Sequence, residues 1–186
     1  MVAIAALILQ RPSDSQEQAA HRIETFSESF QKLNALNQRV LEEVKSEDLS
    51  SSLTDHVTQW ENYWNEDLCA ILVYEKGQLI AWNTSDVPVR FHLDDRSKRM
   101  DGAIRLKNGL YLAKTEILED GKTLVCLTTI RNEYPIHNRY LSDNWHPILK
   151  QTANLNPYLF EHAGSSPIQI EEQPVFYISA SPSDDY

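Results

Sequence analysis

The sequence predicts an α+β fold in which a long amino-terminal helix precedes a mainly antiparallel sheet. Apolar residues recur at helical spacing between residues 16 and 46, and apolar, β-branched runs flank short turns further along the chain. The elements follow in the order helix, helix, strand pair, irregular crossover and strand pair. We therefore expect helices and loops to cover a sheet that is built from hairpins.

Composition limits both the size and the partners of this fold. The chain has 186 residues, of which 41% are hydrophobic, so it suits one compact domain or a domain with an appended helix. Its formal net charge of −10 argues against a nucleic-acid surface and disfavours anionic partners. Only five glycines occur, and no glycine-rich phosphate loop is recognisable, so no nucleotide cofactor is expected.

The first helix is predicted from Gln16 to about Ser46. One stripe along it alternates steps of four and three and comprises Ala19, Ile23, Phe26, Phe30, Leu33, Asn37, Val40 and Val44. Such a seam with one buried asparagine is compatible with a parallel homodimer through the 16–46 helix. The alternative is that the stripe packs on the sheet of its own domain, which Leu36 and Leu41 favour because they widen it.

A second helix is predicted from Leu53 to Asn65, with Ser51 or Ser52 as its cap and a polar loop over residues 46–52 before it. Trp60 and Trp64 share one face of this helix. Such an aromatic cluster indicates core packing, and the alternative is one wall of a ligand pocket.

Two strand pairs follow. The first joins residues 68–74 to 79–82 through residues 75–78, and its almost continuously apolar first run indicates a strand buried on both faces. Residues 85–107 are mixed and polar, with a possible short strand at 87–89 and 91–93. The second pair spans residues 109–130 and reverses at Glu119-Asp120-Gly121-Lys122, because Asp-Gly between such runs is a strong hairpin signal.

The carboxyl-terminal part is less regular. Residues 144–147 and 154–157 both end in proline and are predicted to be turns. Short strands are predicted at 167–170 and 174–178, with Glu171-Glu172-Gln173 between them. Residues 181–186 form a polar tail.

The exit from the second hairpin carries a family resemblance. It reads Ile130-Arg131-Asn132-Glu133-Tyr134-Pro135-Ile136-His137-Asn138-Arg139-Tyr140-Leu141. With the hairpin before it, this run resembles the extracytoplasmic, periplasmic sensor region of membrane-bound sensor histidine kinases of Bacteroidetes-type bacteria, in which a strand pair leads into I-K-N-E-Y-P-[FI]-x-N-x-Y-L.

The resemblance implies a single PAS-like or Cache-like sensor domain over residues 16–180, with a long helix and a mainly antiparallel five-stranded sheet. It also implies that this segment is not an enzyme, because the phosphoacceptor and ATP-binding domains of the histidine kinase would lie beyond Tyr186. The domain would belong to an inner-membrane protein of a two-component system.

The amino terminus bears on that membrane context. Residues 1–9 are an apolar run within the segment 1–15, less than half of the roughly 20 residues that a membrane-spanning helix needs. The run is compatible with the outer end of a transmembrane helix with Arg11 at the boundary, or with a strand or helix that packs on the core.

A ligand in such a domain is expected between the sheet and the segments that cover it. The candidate ligand-binding residues are large or polar groups at strand ends or in the crossover and exit segments: Trp82, Arg90, Tyr111, Lys114, Tyr134 and His137. For Tyr134, His137 and Asn138 a structural role is the alternative, in which they hold the exit segment against the sheet.

Signals for other chemistry are weak. Cys69 and Cys126 lie in apolar runs and form either a disulfide or, as small core residues, two free thiols. His92, Asp94 and Asp95 lack a second ligand pair, so no metal is expected. Without a recognisable nucleophile motif, two functions remain: a sensor for a small molecule or protein partner, and a soluble non-enzymatic ligand-binding or scaffold protein.

Overall fold

A computed structural model describes residues 14–47, 53–89, 100–134, 136, 142–149 and 155–180. Its helices and strands are α1 Asp14–Lys45, α2 Leu53–Asp67, β1 Cys69–Glu75, β2 Gln78–Trp82, β3 Gly102–Leu106, β4 Gly109–Ile117, β5 Thr123–Asn132, β6 Asn144–Trp145, β7 Leu155–Tyr158, β8 Ser166–Ile170 and β9 Gln173–Ala180. The predicted α+β class, with a long first helix and an antiparallel sheet, is confirmed. A smaller second sheet was not predicted.

The main sheet has the antiparallel strand order β2-β1-β5-β4-β3, and the two-residue strand β6 pairs with β5. Both predicted hairpins are confirmed. The β1–β2 turn places Lys76 and Gly77 at positive φ, which suits the right-handed twist of a two-residue hairpin. The β4–β5 turn places Gly121 at φ +83°, the conformation that its Asp-Gly sequence favours.

Strand β3 was missed by the sequence analysis. A short strand was expected at residues 87–89, but these residues do not form one. Residues 91–93 lie outside the described residues. β3 is an edge strand that pairs only with β4 in this sheet. None of its residues is fully buried, and Gly102 and Arg105 interrupt its short apolar run, so its strand signal in the sequence is weak.

The second sheet has the order β7-β9-β8. Strands β8 and β9 confirm the predicted pair, and Glu171 and Glu172 turn between them at positive φ. The predicted turn at 154–157 is wrong, because residues 155–158 form β7. The residue before a proline is pushed towards extended geometry, and an edge strand such as β7 tolerates Pro157.

The predicted turn at 144–147 is wrong in its first half. Residues 144–145 form β6 on β5, and a 3-10 turn then begins at Pro147 and ends at Leu149. β6 is too short to leave a periodic pattern in the sequence.

Helix α1 lies across both sheets. We call the part of α1 up to Leu33 its first half and the rest its second half. Phe26 and Phe30 of the first half pack edge-on against Phe176 of β9, and Val40 and Val44 of the second half join the core of the main sheet. The seam from Phe26 to Val44 therefore packs on the chain's own sheets, as the second alternative predicted. A homodimer through the 16–46 helix stays a prediction, and it would have to use the exposed side of α1.

Strand β1 is buried on both faces, as its apolar run predicted. Cys69, Ile71 and Val73 face the helices, whereas Leu72 and Tyr74 join a cluster on the opposite face. Cys69 of β1 and Cys126 of β5 are buried and free, so they are two thiols and not a disulfide. In the described part of the chain, no helix is long and apolar enough to cross a membrane.

Candidate functional site

A cleft of about 450 Å³ opens where α1, the β3–β4 hairpin and the β8–β9 turn meet. Its size lies within the range of roughly 300–1,000 Å³ that is usual for small-molecule sites. The cleft is lined by Gln38, Leu41, Asp101, Gly102, Ala113, Lys114, Thr115, Glu116, Ile170, Glu171, Gln173, Pro174 and Val175. Parts of the chain that are far apart in sequence thus form one concave surface.

Lys114 is the central polar group of this cleft. It lies directly opposite Cys126 in the β4–β5 ladder, so its half-buried side chain is on the α1 face of the sheet. Its Nζ donates to Oε1 of Gln38 at 2.5 Å, and Nε2 of Gln38 donates to Oε1 of Glu42 at 2.8 Å. A relay of two hydrogen bonds therefore orients the ammonium group from one side.

Two of the three carboxylates that line the cleft, Glu116 and Asp101, are engaged within the chain. Glu116 accepts from Nζ of Lys45 at 2.6 Å, and this hydrogen bond is the main reason that the pKa of Lys45 is raised. Oδ1 of Asp101 accepts from the backbone N–H of Thr115 at 2.9 Å. Glu171 lies in the exposed β8–β9 turn. The rim of the cleft is acidic, whereas its interior contains the ammonium of Lys114.

Apolar surface completes the cleft. Leu41 comes from α1, and Ile170 and Val175 come from the two strands of the β8–β9 hairpin. Gly102 starts β3 at φ +106°, where a side chain would be strained, and a Cβ at this position would meet Cγ1 of Val175 at 3.7 Å. Glycine is therefore required here by its backbone conformation and not by lack of space, since 3.7 Å is an ordinary van der Waals distance.

A second polar cluster lies on the opposite face of the main sheet. Tyr111 donates to Oδ1 of Asn108 at 3.0 Å, and Asn108 donates to the carbonyl oxygen of Asp86 at 2.8 Å. Nε1 of Trp64 donates to Oδ2 of Asp86 at 3.1 Å. Burial, followed by proximity to Tyr134, raises the pKa of Tyr111 to about 12, so the phenol stays protonated and donates at neutral pH.

The structure describes four of the six predicted site residues and places them in separate parts of the molecule. Lys114 lines the cleft, whereas Tyr111 belongs to the opposite face of the sheet, and Tyr134 lies close enough to Tyr111 to raise its pKa. Trp82 is 41% exposed on the edge strand β2. Arg90 and His137 lie outside the described residues. The described members of the predicted set therefore do not form one site, and Lys114 is the one in the cleft.

Sequence reasoning missed most of the residues around Lys114. Glu116 could have been found, because it lies two positions further along a strand and so shares its face. Gln38 carried a weak signal as the neighbour of Asn37 on the helix. Val175 and Gly102 carried none, because their proximity depends on how the second sheet docks on the first.

The residues predicted for a metal site and for the exit segment lie partly outside the described residues. Within the described ranges, no group of three or more His, Cys, Asp or Glu side chains could hold a metal ion. His92, Asp94, Asp95 and Asn138 lie outside the described residues. The backbone N–H of Tyr134 donates to Oδ1 of Asp143 at 3.0 Å, which ties the start of the exit segment to the residues before β6.

Comparison of the chain with protein-family models, with curated proteins and with solved structures yields no match. The resemblance to sensor histidine kinases stays a prediction from the sequence. A fold alone does not identify a function, so the cleft and its chemistry are the structural basis for a functional proposal.

Proposed function

We propose that this chain is a non-enzymatic sensing module that binds a small molecule in the Lys114 cleft and transmits binding through α1. The observation that carries this proposal is the position of the cleft, which is formed jointly by α1, the main sheet and the β8–β9 turn. A ligand that touches all three elements favours the arrangement in which they fit it best. Binding then changes the population of states of the long helix.

The parent molecule that we propose is a membrane-bound sensor histidine kinase, with this chain as its extracytoplasmic domain. The resemblance of residues 130–141 and the apolar run at residues 1–9 support that context. In this arrangement α1 directly follows the membrane segment, so a shift of α1 against the sheets reaches the membrane. The alternative function is a soluble ligand-binding or scaffold protein, in which the same cleft has no signalling partner.

Sensing is tested by two measurements on the purified chain. A thermal-shift screen with a broad metabolite library is expected to find a stabilising ligand, since a ligand at 100 times its Kd adds about 2.7 kcal/mol. Hydrogen exchange with that ligand should then slow amides around Gln38 and Leu41 in α1 as well as in the β8–β9 turn. Protection confined to another surface, or no stabilising ligand at all, would contradict the proposed site.

The genomic context separates the two functions. The sensor proposal expects the reading frame to encode apolar stretches of about 20 residues on both sides of residues 1–186. Kinase domains are expected after the second stretch. Stop codons immediately flanking this segment would favour the soluble binding protein instead.

A further inference from the structure

Among the residues that the structure describes, Lys114 has no counter-ion in contact. Among the described residues, no carboxylate oxygen lies within ion-pair distance of its Nζ, and its one described acceptor is the neutral amide of Gln38. An ammonium group has three donors, so it can donate further hydrogen bonds into the cleft. Beneath it lies the buried thiol of Cys126, which is protonated because burial and the neighbouring Cys69 raise its pKa.

The acids that line the cleft do not provide the missing charge. Glu116 is paired with Lys45, and Asp101 accepts from the backbone of Thr115. Asp101 and Glu171 nevertheless place negative charge beside the cleft, and the whole chain has a net charge of −10. A dianion or polyanion would be repelled by this field, whereas one carboxylate in contact with Lys114 gains a charge-assisted hydrogen bond at the cost of a single repelled charge.

The apolar residues of the cleft indicate the character of the uncharged part of the ligand. Ile170, Pro174 and Val175 present accessible apolar surface in the cleft, so a hydrocarbon body fits against them while its charged end reaches Nζ. Building on the function proposed above, we propose that the cleft binds a small monocarboxylate with an apolar body. Lys114 is its binding residue, and Gln38 positions the ammonium.

The experiment uses four aromatic probes of similar size: benzoate, neutral benzamide, cationic benzylamine and dianionic isophthalate. Their dissociation constants are measured by NMR titration against the natural chain and the variants Lys114→Met, Lys114→Arg and Lys107→Met. Methionine keeps most of the length of the lysine side chain without its charge. Lys107→Met is the matched control, because Lys107 is exposed in the β3–β4 turn of the same hairpin.

Benzoate is expected to bind the natural chain best of the four probes. Its Kd should rise at least about tenfold in Lys114→Met, the size expected for loss of one charge-assisted hydrogen bond. Lys114→Arg should retain most of the affinity, and Lys107→Met should leave it unchanged. Equal affinity for benzamide or benzylamine, or an unchanged benzoate Kd in Lys114→Met with native urea unfolding, would overturn the ligand class.

A cleft-filling variant distinguishes this failure from failure of the proposed function. Pro174→Trp adds a large side chain at an exposed position in the cleft wall. If benzamide or benzylamine binds at least as tightly as benzoate and Pro174→Trp removes that binding, the cleft is a binding site and the monocarboxylate proposal is wrong. If none of the four probes responds to Pro174→Trp and the metabolite screen finds no ligand, both proposals are overturned.

Discussion

The two halves of α1 are held to the protein by different forces. Its first half packs aromatic rings against the second sheet: the centroids of Phe30 and Phe176 lie 5.1 Å apart in an edge-on arrangement. Its second half has smaller apolar residues and the buried Asn37, whose Nδ2 donates to Oγ1 of Thr128 at 2.8 Å and to the carbonyl oxygen of Leu112 at 3.1 Å. The proposed cleft begins one residue later, at Gln38.

The first half of α1 therefore holds the helix to the protein, whereas the second half fixes its position along the main sheet. Apolar contact is nearly non-directional, so it can hold the first half of α1 on the second sheet through small shifts. The hydrogen bonds of Asn37 have fixed directions and specify where the second half lies on β4 and β5. A ligand beside Gln38 therefore acts next to the point at which the register of α1 is set.

The largest expected effect is that of Phe30→Ala in the first half. Phe30 is fully buried between α1 and the second sheet, and its removal leaves a cavity, so the free energy of unfolding should fall by about 3–5 kcal/mol. Urea unfolding of the purified chain measures this loss. Phe160→Ala is the control: Phe160 is 79% exposed, and its removal should change stability by less than about 0.5 kcal/mol.

Asn37→Ala should have a smaller effect on stability, about 1–3 kcal/mol. The substitution removes three described hydrogen bonds to the sheet, but it also removes a buried Oδ1 that has no hydrogen-bond partner among the described residues. Hydrogen exchange should show the register effect, with faster exchange around Val40 than around Phe30. If Asn37→Ala destabilised the protein more than Phe30→Ala, or loosened both halves equally, the division between the two halves would be wrong.

The smallest expected effect concerns His146, whose ring forms hydrogen bonds with the backbone of α2 and of the 3-10 turn at 147–149. Its Nδ1 accepts from the N–H of Ile148 at 3.2 Å, so the neutral ring has its proton on Nε2, which donates to the carbonyl oxygen of Asp67 at 3.0 Å. Burial lowers the pKa of His146 below its usual 6.5, despite the opposing hydrogen bond to Asp67. The folded protein therefore binds this proton less readily than the unfolded chain does.

The sign of the pH effect follows from that difference. The contribution of His146 is fully present above pH 6.5 and is lost as the pH falls from there through the lowered pKa of the folded state. Urea unfolding at pH 7.5 and pH 5.5 should show a loss of stability at the lower pH, and His146→Gln should reduce that loss. An identical pH dependence in His146→Gln would exclude this histidine as the cause.

The hairpins were predictable because their signals are local. Asp120-Gly121 and Lys76-Gly77 lie between apolar runs, and the turn conformation depends on only a few residues. Strands β3 and β7 were missed or assigned as turns because they are edge strands with weak burial patterns, and they are recognisable only through their partners β4 and β9. Of the cleft, Lys114 was predicted and Glu116 was predictable from its strand spacing, whereas the walls from α1 and the second sheet were not.

The sequence by itself determined the helical stripe, the continuous burial of β1 and the positions of three tight turns, because period and turn chemistry act over a few neighbouring residues. Only the tertiary structure decided what the stripe packs against. Asn37 suits a dimer seam and a sheet equally well by its spacing, and its hydrogen-bond partners lie 75 to 91 residues away in the chain. Contacts of that separation depend on the docking of whole elements, and the same docking creates the cleft around Lys114.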